Sequence, residues 1–524
     1  KPRSPPRKNA SRLKMPSKKV DTTNTATEIP WRCLFAYCLV LLYNGETRKV
    51  KRMTVNYFIK CPVCETVTRM RTPAGYIYNT PVRIHCGNCN TLLTGEFISD
   101  NENIKAYYVP GNCKEVLPQN YEYYGEASGE ILCKKIELLP GTKEDLSNSP
   151  RLSPVFAFFE AMSMDDKNNF INYACFASDL IKRWDSMQIK YNLFLNGKMD
   201  LIKEKYEIYA KRAGYNLSSD FEIMRYVYYS FFFDCGGIFK KKEIKRTLLE
   251  INDHFRHLNT QALKEYISFL DEKNRIVTIQ AKLFEIMFSY IKIVKNLIPA
   301  ICANLYDDPT TIDKETLGLT TCSFEDIKSF YQDTYENLAE CCDLVVGLDN
   351  IENRGAFNLF TNKFDMDKFS KQSKGNRIKH LGSEEFFAKT FNISSDSNEM
   401  RNAIGHNDYN YKGIQQTIEY TVKTTGENKI SYLLDVAIES VKLMQSAYIL
   451  MFFLYETQRY KQRVDRESIV MHPALYAKTK NQAHCPCGSG RKYKDCCKSE
   501  VGENNKPLEY PNKSGMEFKG NIFV

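Results

Sequence analysis

A chain of 524 residues, 43% hydrophobic and 26% charged, has an ordinary globular composition and room for two to four domains with real cores. Its longest uninterrupted apolar stretches, 33–43 and 447–455, fall well short of the roughly 20 residues that span a bilayer, and no signal-peptide pattern is found. A cytoplasmic protein with no membrane partner is expected. The net charge of +10 is unevenly spread: residues 1–20 carry eight Lys or Arg and no acid, 44–85 eight against two, and 455–499 ten against four. Basic ends therefore flank an acidic middle, a distribution that suits ends contacting phosphates as well as ordinary solvated charge.

Residues 1–29 read as a basic flexible tail, and 30–138 as a β-rich domain. Strand-like pieces at 55–59 and 77–84 bracket two cysteine pairs, Cys61-Pro62-Val63-Cys64 and Cys86-Gly87-Asn88-Cys89. Two C-x₂-C pairs on turns between strands supply the four thiolates that tetrahedral zinc prefers. A redox C-x-x-C stands singly beside a βαβ pattern, which is absent. Lys60, Arg69, Arg71 and Arg83 surround this ribbon and permit nucleic-acid contact; the ribbon equally suffices as a self-contained structural element. Of the 18 cysteines, ten lie outside the clusters, as buried small hydrophobes do in a reducing compartment.

A break containing Pro140, Gly141, Asn148, Ser149 and Pro150 separates this domain from a helical body, divided into 155–274 and 275–465. The solidly aromatic run 226–233 reads as core. His254 and His257 share a helix face without a third ligand and read as surface residues. Ile276, Ile279, Leu283, Met287, Tyr290, Val294 and Leu297 recur at helical spacing, with Pro299 as the expected stop. A helix opening at Ser323, with Asp326 completing a capping box, is expected to end at Gly347. A hairpin is expected over 414–422 and 429–432 about Gly426. A last helix, apolar all round in its second half, calls for burial on several sides and suggests a second subunit.

The cluster His484-Cys485-Pro486-Cys487-Gly488-Ser489-Gly490-Arg491-Lys492-Tyr493-Lys494-Asp495-Cys496-Cys497 closely resembles the SEC-C motif, a zinc-binding docking element. The resemblance implies a module over 484–498, followed by a tail at 499–524. Cys485, Cys487, Cys496 and Cys497 would be the ligands, with His484 as a substitute. It also implies a ribosome or protein partner. Four ligands close each of the two structural zinc sites, leaving no open position for a catalytic metal.

Near the end of the helical body stands Glu399-Met400-Arg401-Asn402-Ala403-Ile404-Gly405-His406-Asn407-Asp408-Tyr409, which resembles the R-x₄₋₆-H motif of HEPN-domain ribonucleases. Arg466-x₅-His472 is a second match, but only the first has a polar residue after the Arg, small apolar residues between, and an acidic-aromatic pair after the His. The implied fold is mainly α, a HEPN-like helical bundle carrying the small β-rich zinc ribbon and the short C-terminal zinc module. RNA brings its own 2′-hydroxyl nucleophile, so cleavage needs proton transfer and positive charge at phosphate. Histidine can serve the first and arginine the second. The resemblance implies Arg401 as phosphate binder, Asn402 as polar helper and His406 as general acid or base. It further implies a homodimeric cleft, an RNA substrate (tRNA, rRNA or mRNA), and a toxin or antiphage-defence effector blocking translation. On one helix, residues five apart point about 140° away from each other; a helix end at Gly405 would let His406 swing back toward Arg401. The alternative is a non-enzymatic adaptor docking through its zinc modules.

Overall fold

The computed structural model describes residues 54–75, 77–100, 105–143, 163–304, 311–360, 364–393, 395–423, 425–466, 480–484 and 492–495, all within one compact unit. Both expected tails, His472 and the four SEC-C cysteines lie outside these residues.

The β-rich region builds two sheets. Strands β1 (Thr54–Lys60), β2 (Val67–Pro73), β6 (Lys114–Val116), β7 (Tyr121–Glu126) and β9 (Glu137–Gly141) form one, in the order β6-β1-β2-β7-β9, with β2 and β7 parallel. Strands β3 (Asn79–His85), β4 (Leu92–Asp100) and β5 (Lys105–Pro110) form an antiparallel meander. Along β3 the buried residues alternate, Thr80, Val82 and Ile84, as one face of a half-buried strand requires. Tyr57, Ile59, Met70, Val82, Leu93 and Phe97 close a core between the two sheets.

This region is sewn onto the helices. β8 (Cys133–Lys134) pairs with β10 (Leu317–Gly318), Arg83 N–H donates to Thr320 O at 2.8 Å, and Lys135 Nζ donates to the carbonyls of Lys314 and Gln415. Ile77 and Ile131 belong to the same apolar core as the helices, and that core runs unbroken across position 275 to Tyr460.

Thirteen α-helices occur among the described residues. The first five are α1 (Met164–Leu195), α2 (Met199–Arg212), α3 (Asp220–Cys235), α4 (Lys241–His257) and α5 (Thr260–Glu272). At the centre α6 (Arg275–Asn304), α7 (Phe324–Cys341) and α13 (Leu433–Arg466) pack against one another. The architecture is mainly helical with a small β region. By length and composition alone α6 and α13 could cross a bilayer, yet 67% and 83% of their most apolar windows are buried inside the protein. As expected, the run 226–233 is core: Tyr226, Tyr228, Phe231 and Phe232 are buried, and rings from α1, α6 and α13 pack on them.

Two boundaries depart from expectation, each for a packing reason. Pro299 does not stop α6, which continues to Asn304. Ala300, Ile301, Cys302 and Ala303 are fully buried, and their burial offsets the roughly 3 kcal/mol that an internal proline costs. Ser323 and Asp326 do form the capping box of α7, but Gly347 ends nothing. It lies inside α8 (Asp343–Arg354), where a Cβ would stand 2.2 Å from the Tyr266 ring; Gly355, at φ +84°, is the left-handed terminator. The apolar stretch 447–455 of α13 is buried within the chain, with Phe232, Phe255 and Phe387 among the rings packed on Phe452 and Phe453.

The last elements are short: α9 (Met366–Ser370), α10 (Lys374–Ile378), α11 (Phe386–Phe391) and α12 (Ser395–Gly405), then β11 (Tyr409–Lys412), β12 (Thr417–Val422) and β13 (Glu427–Tyr432). The expected hairpin is β12–β13, turning at Gly426 (φ +72°), and β11 extends it to three strands.

Candidate functional site

The two cysteine turns have one geometry. Cys61 N–H donates to Thr66 O (3.0 Å) and Glu65 N–H to Cys61 O (3.1 Å); Cys86 N–H donates to Thr91 O (2.9 Å) and Asn90 N–H to Cys86 O (2.9 Å). Each turn closes on a left-handed residue, Glu65 (φ +61°) and Asn90 (φ +58°). Cys61 Sγ lies 3.6 Å from Cys89 Sγ, Cys64 Sγ 3.6 Å from Cys86 Sγ, and all four sulfurs fall within 4.8 Å of one another. A zinc tetrahedron with bonds near 2.3 Å has edges of about 3.8 Å, so the donor set and spacing fit. The Thr66 and Thr91 hydroxyls stand 3.2 and 3.1 Å from the Cys64 and Cys89 sulfurs. The hydrogen bond between Cys64 and the Thr66 hydroxyl draws the Cys64 thiol down to about 6, whereas burial pushes Cys86 up to about 12. A divalent cation is what would make all four thiolates compatible with this burial. The repeated C-x₂-C-x-T in the sequence is the signal for these threonines, and reading the cysteines alone misses it.

The basic residues around this centre have partners within the chain. Arg69 is fully buried, donating to Tyr121 Oη (3.2 Å) and Asn56 Oδ1 (3.1 Å) and lying over the Tyr121 and Tyr124 rings. Arg83 donates to Val82 O and Gly95 O and approaches Asp326 at 3.8 Å, and Lys60 pairs with Glu65 at 3.1 Å. Arg71 sits beside Tyr124. Of these four, Arg69 is wholly enclosed, while Lys60 and Arg83 keep partly exposed side chains.

The Arg–His motif lies on α12, which runs antiparallel along α7. Arg401 meets Glu336, Gly405 faces Gln332, and Tyr409 meets Lys328. Arg401 Nη2 donates to Glu336 Oε1 at 2.7 Å and Nη1 to Asn402 Oδ1 at 2.8 Å; Nε has no partner among the described residues. The buried hydroxyl of Tyr335 nearby also lacks one among them. The Glu336 carboxyl stays below the usual range: burial raises it, and hydrogen bonds from Arg401 and Lys374 outweigh that.

The α-helix ends at Gly405, as expected, but the chain does not reverse there. His406 N–H still bonds Asn402 O (3.1 Å), and reversal comes at Asn407 (φ +54°). Asn407 N–H donates to Ile404 O and Asp408 N–H to Ala403 O, a Schellman termination in which asparagine takes the place glycine usually holds. His406 thus keeps a helical backbone hydrogen bond, and ideal helical geometry would point residues five apart about 140° from each other rather than side by side. His406 is exposed. Its neighbour Asp408 bonds Lys423 at 2.9 Å, which together with the proximity of His406 holds that carboxyl below its usual range. The structure thus brings Arg401 and Asn402 together and sets His406 at the helix tip. Glu336 and Lys374 were missed because charges 27 or more residues from the motif carry no local signal. Asn407 was missed because Gly405 is the commoner helix terminator.

His254 pairs with Glu352 and stacks on Phe386, while His257 is exposed with Nδ1 2.8 Å from Asp253 O. Neither joins a metal cluster among the described residues; only the four ribbon cysteines do. At the C-terminal element His484 bridges Lys492 in antiparallel fashion, Tyr493 N–H donates to Ala483 O (2.9 Å) and Tyr493 is buried.

Comparison with known families finds the SEC-C motif over residues 484–499. Comparisons with curated proteins and with solved structures find no match.

Proposed function

We propose that this protein is a metal-independent, HEPN-type endoribonuclease, with Arg401 binding the scissile phosphate, Asn402 orienting Arg401, and His406 transferring the proton. The supporting observation is the state of the two groups on α12: a guanidinium aligned by Glu336 and Asn402, and an exposed imidazole at the helix tip with no hydrogen bond among the described residues. The element order supports it as well, a motif helix followed by a small sheet and a long final helix. The 2′-oxygen attacks phosphorus as its proton passes to a base, the P–O5′ bond breaks, and the leaving oxygen takes up a proton. The products are a 2′,3′-cyclic phosphate and a 5′-hydroxyl. Because helical geometry points Arg401 and His406 apart, two copies of the chain would form two symmetric clefts, each taking its arginine from one copy and its histidine from the other. Cys61, Cys64, Cys86 and Cys89 would hold one structural zinc ion, and Cys485, Cys487, Cys496 and Cys497 a second. A cytoplasmic toxin or antiphage effector that blocks translation is the role we assign.

The SEC-C match favours one other reading, a non-enzymatic adaptor docked to a ribosome or protein partner. Expression in a bacterial host separates the two. The wild-type chain should slow growth and fragment RNA, and His406→Ala should do neither; equal harmlessness with intact RNA supports the adaptor.

A further inference from the structure

Helix α7 and the first residue of α8 carry an acidic ridge, Glu325, Glu336, Glu340 and Asp343, and each acid is met by a cation from elsewhere in the sequence or one turn along. Lys328 meets Glu325 and the Tyr409 hydroxyl. Lys282 meets Glu340 and Asn337 Oδ1. Arg275 meets Asp343 through two nitrogens and also donates to Glu340 O. These three cations have partners of their own. Lys374 differs: the acids it pairs with are shared, Glu336 Oε2 at 3.2 Å, opposite the oxygen that Arg401 holds, and Glu340 Oε2 at 3.5 Å, the acid that Lys282 holds. Three cations (Arg401, Lys374, Lys282) thus share the carboxylates of Glu336 and Glu340, with Asp333 of the same helix also close to Lys374 and Glu336. Lys374 is also the most exposed of the ridge's cations, at 36% against 19% for Arg275, 21% for Lys282, and 27% for both Lys328 and Arg401. Its helix adjoins the motif helix, where Gly375 lies against Asn398, one turn before Arg401.

We infer that Lys374 is a second phosphate-contacting side chain, held beside Arg401 by the shared Glu336 carboxylate, so that the site grips two successive phosphates of a single-stranded RNA. This rests on the ribonuclease reading. A flexible ammonium suits the role, since it is a point charge that can turn from a shared carboxylate to a phosphate without losing a bidentate geometry.

The test is salt-dependent binding of a short fluorescein-labelled single-stranded RNA to the full zinc-loaded chain carrying His406→Ala, which binds without cutting. Each phosphate neutralised contributes roughly 0.7 to the slope of log K against log[salt] for single strands. Lys374→Gln should lower that slope by about this amount and weaken binding several-fold at low salt, with Lys374→Arg restoring both. Lys282→Gln, which removes the same charge one turn along the ridge, should leave the slope unchanged. Equal slopes for Lys374→Gln and its parent overturn the inference, as does an equal loss from Lys282→Gln. If the parent binds no RNA, the inference and the ribonuclease reading both fail. If the parent binds RNA but the wild-type chain does not cut it, the ribonuclease reading fails alone and the slope still decides on Lys374.

Discussion

At the scale of single residues, Arg401 serves two purposes. Its pairing with Glu336 helps fix α12 on α7, and the same pairing aims a planar guanidinium that keeps further N–H groups for an anion. Lysine cannot reproduce this fork, so Arg401→Lys should fold normally and lose about a hundredfold or more in RNA cleavage. A change of only two- or threefold would mean that the guanidinium is structural. In the ribbon, Cys86 is fully buried and shares the geometry of its three partners. Cys86→Ser should lower the zinc content by one ion per chain, measured by elemental analysis, and lower the melting temperature of the protein. Unchanged zinc content would show that the four cysteines do not act as one centre.

Among the elements, α8 shows how close packing decides what a glycine is for. Gly347→Ala places a methyl group against the Tyr266 ring, whose hydroxyl donates to Asp343 O, so neither side can yield cheaply. It should cost about 2–3 kcal/mol of stability by chemical denaturation. Gly405→Ala meets only the tip of Gln332 at 3.3 Å and should be nearly neutral. The sequence shows two glycines near helix ends and cannot say which one a distant ring presses on. The same helix carries Asp349, buried beneath α11, where it accepts the Phe387 and Ala388 N–H groups at 2.9 Å each. Burial outweighs those bonds and pushes its carboxyl up to about 7. An unfolded aspartate titrates near 4, so the folded chain holds the extra proton between roughly pH 4 and 7, and stability falls as pH rises through that window. Asp349→Asn cannot titrate, and its melting temperature should decline less than that of the wild type between pH 5 and 7.5. Parallel declines would assign the pH dependence to other groups.

For the whole molecule, what was legible in the sequence was what local chemistry determines: the spacing of the four ribbon cysteines, the capping box at Ser323, the turn at Gly426 and the aromatic core over 226–233. What was not legible depends on contacts distant in sequence. α6 passes through Pro299 because the bundle buries Ala300, Ile301, Cys302 and Ala303 beyond it. α13 finds its cover within the chain, and the ribbon's arginines turn inward to tyrosines and carbonyls. Since α13 is already covered, the cleft between copies must be built elsewhere, and α12 with its exposed His406 is the surface we assign to it. Mixing inactive Arg401→Ala and His406→Ala proteins tests this. If each cleft takes its arginine and histidine from different copies, random reassortment gives half mixed dimers with one intact cleft each, and about a quarter of wild-type activity returns. No recovery, with subunit exchange verified, would place both groups of a cleft on one chain.

The central claim is that an imidazole and a guanidinium cleave RNA here without a divalent metal ion. The most direct measurement is incubation of zinc-loaded protein with total RNA in magnesium-free buffer, together with chemical identification of the new ends. The wild type should leave 2′,3′-cyclic phosphate and 5′-hydroxyl termini, and His406→Ala none. Intact RNA with the wild type, or identical fragments from both proteins, would contradict the claim.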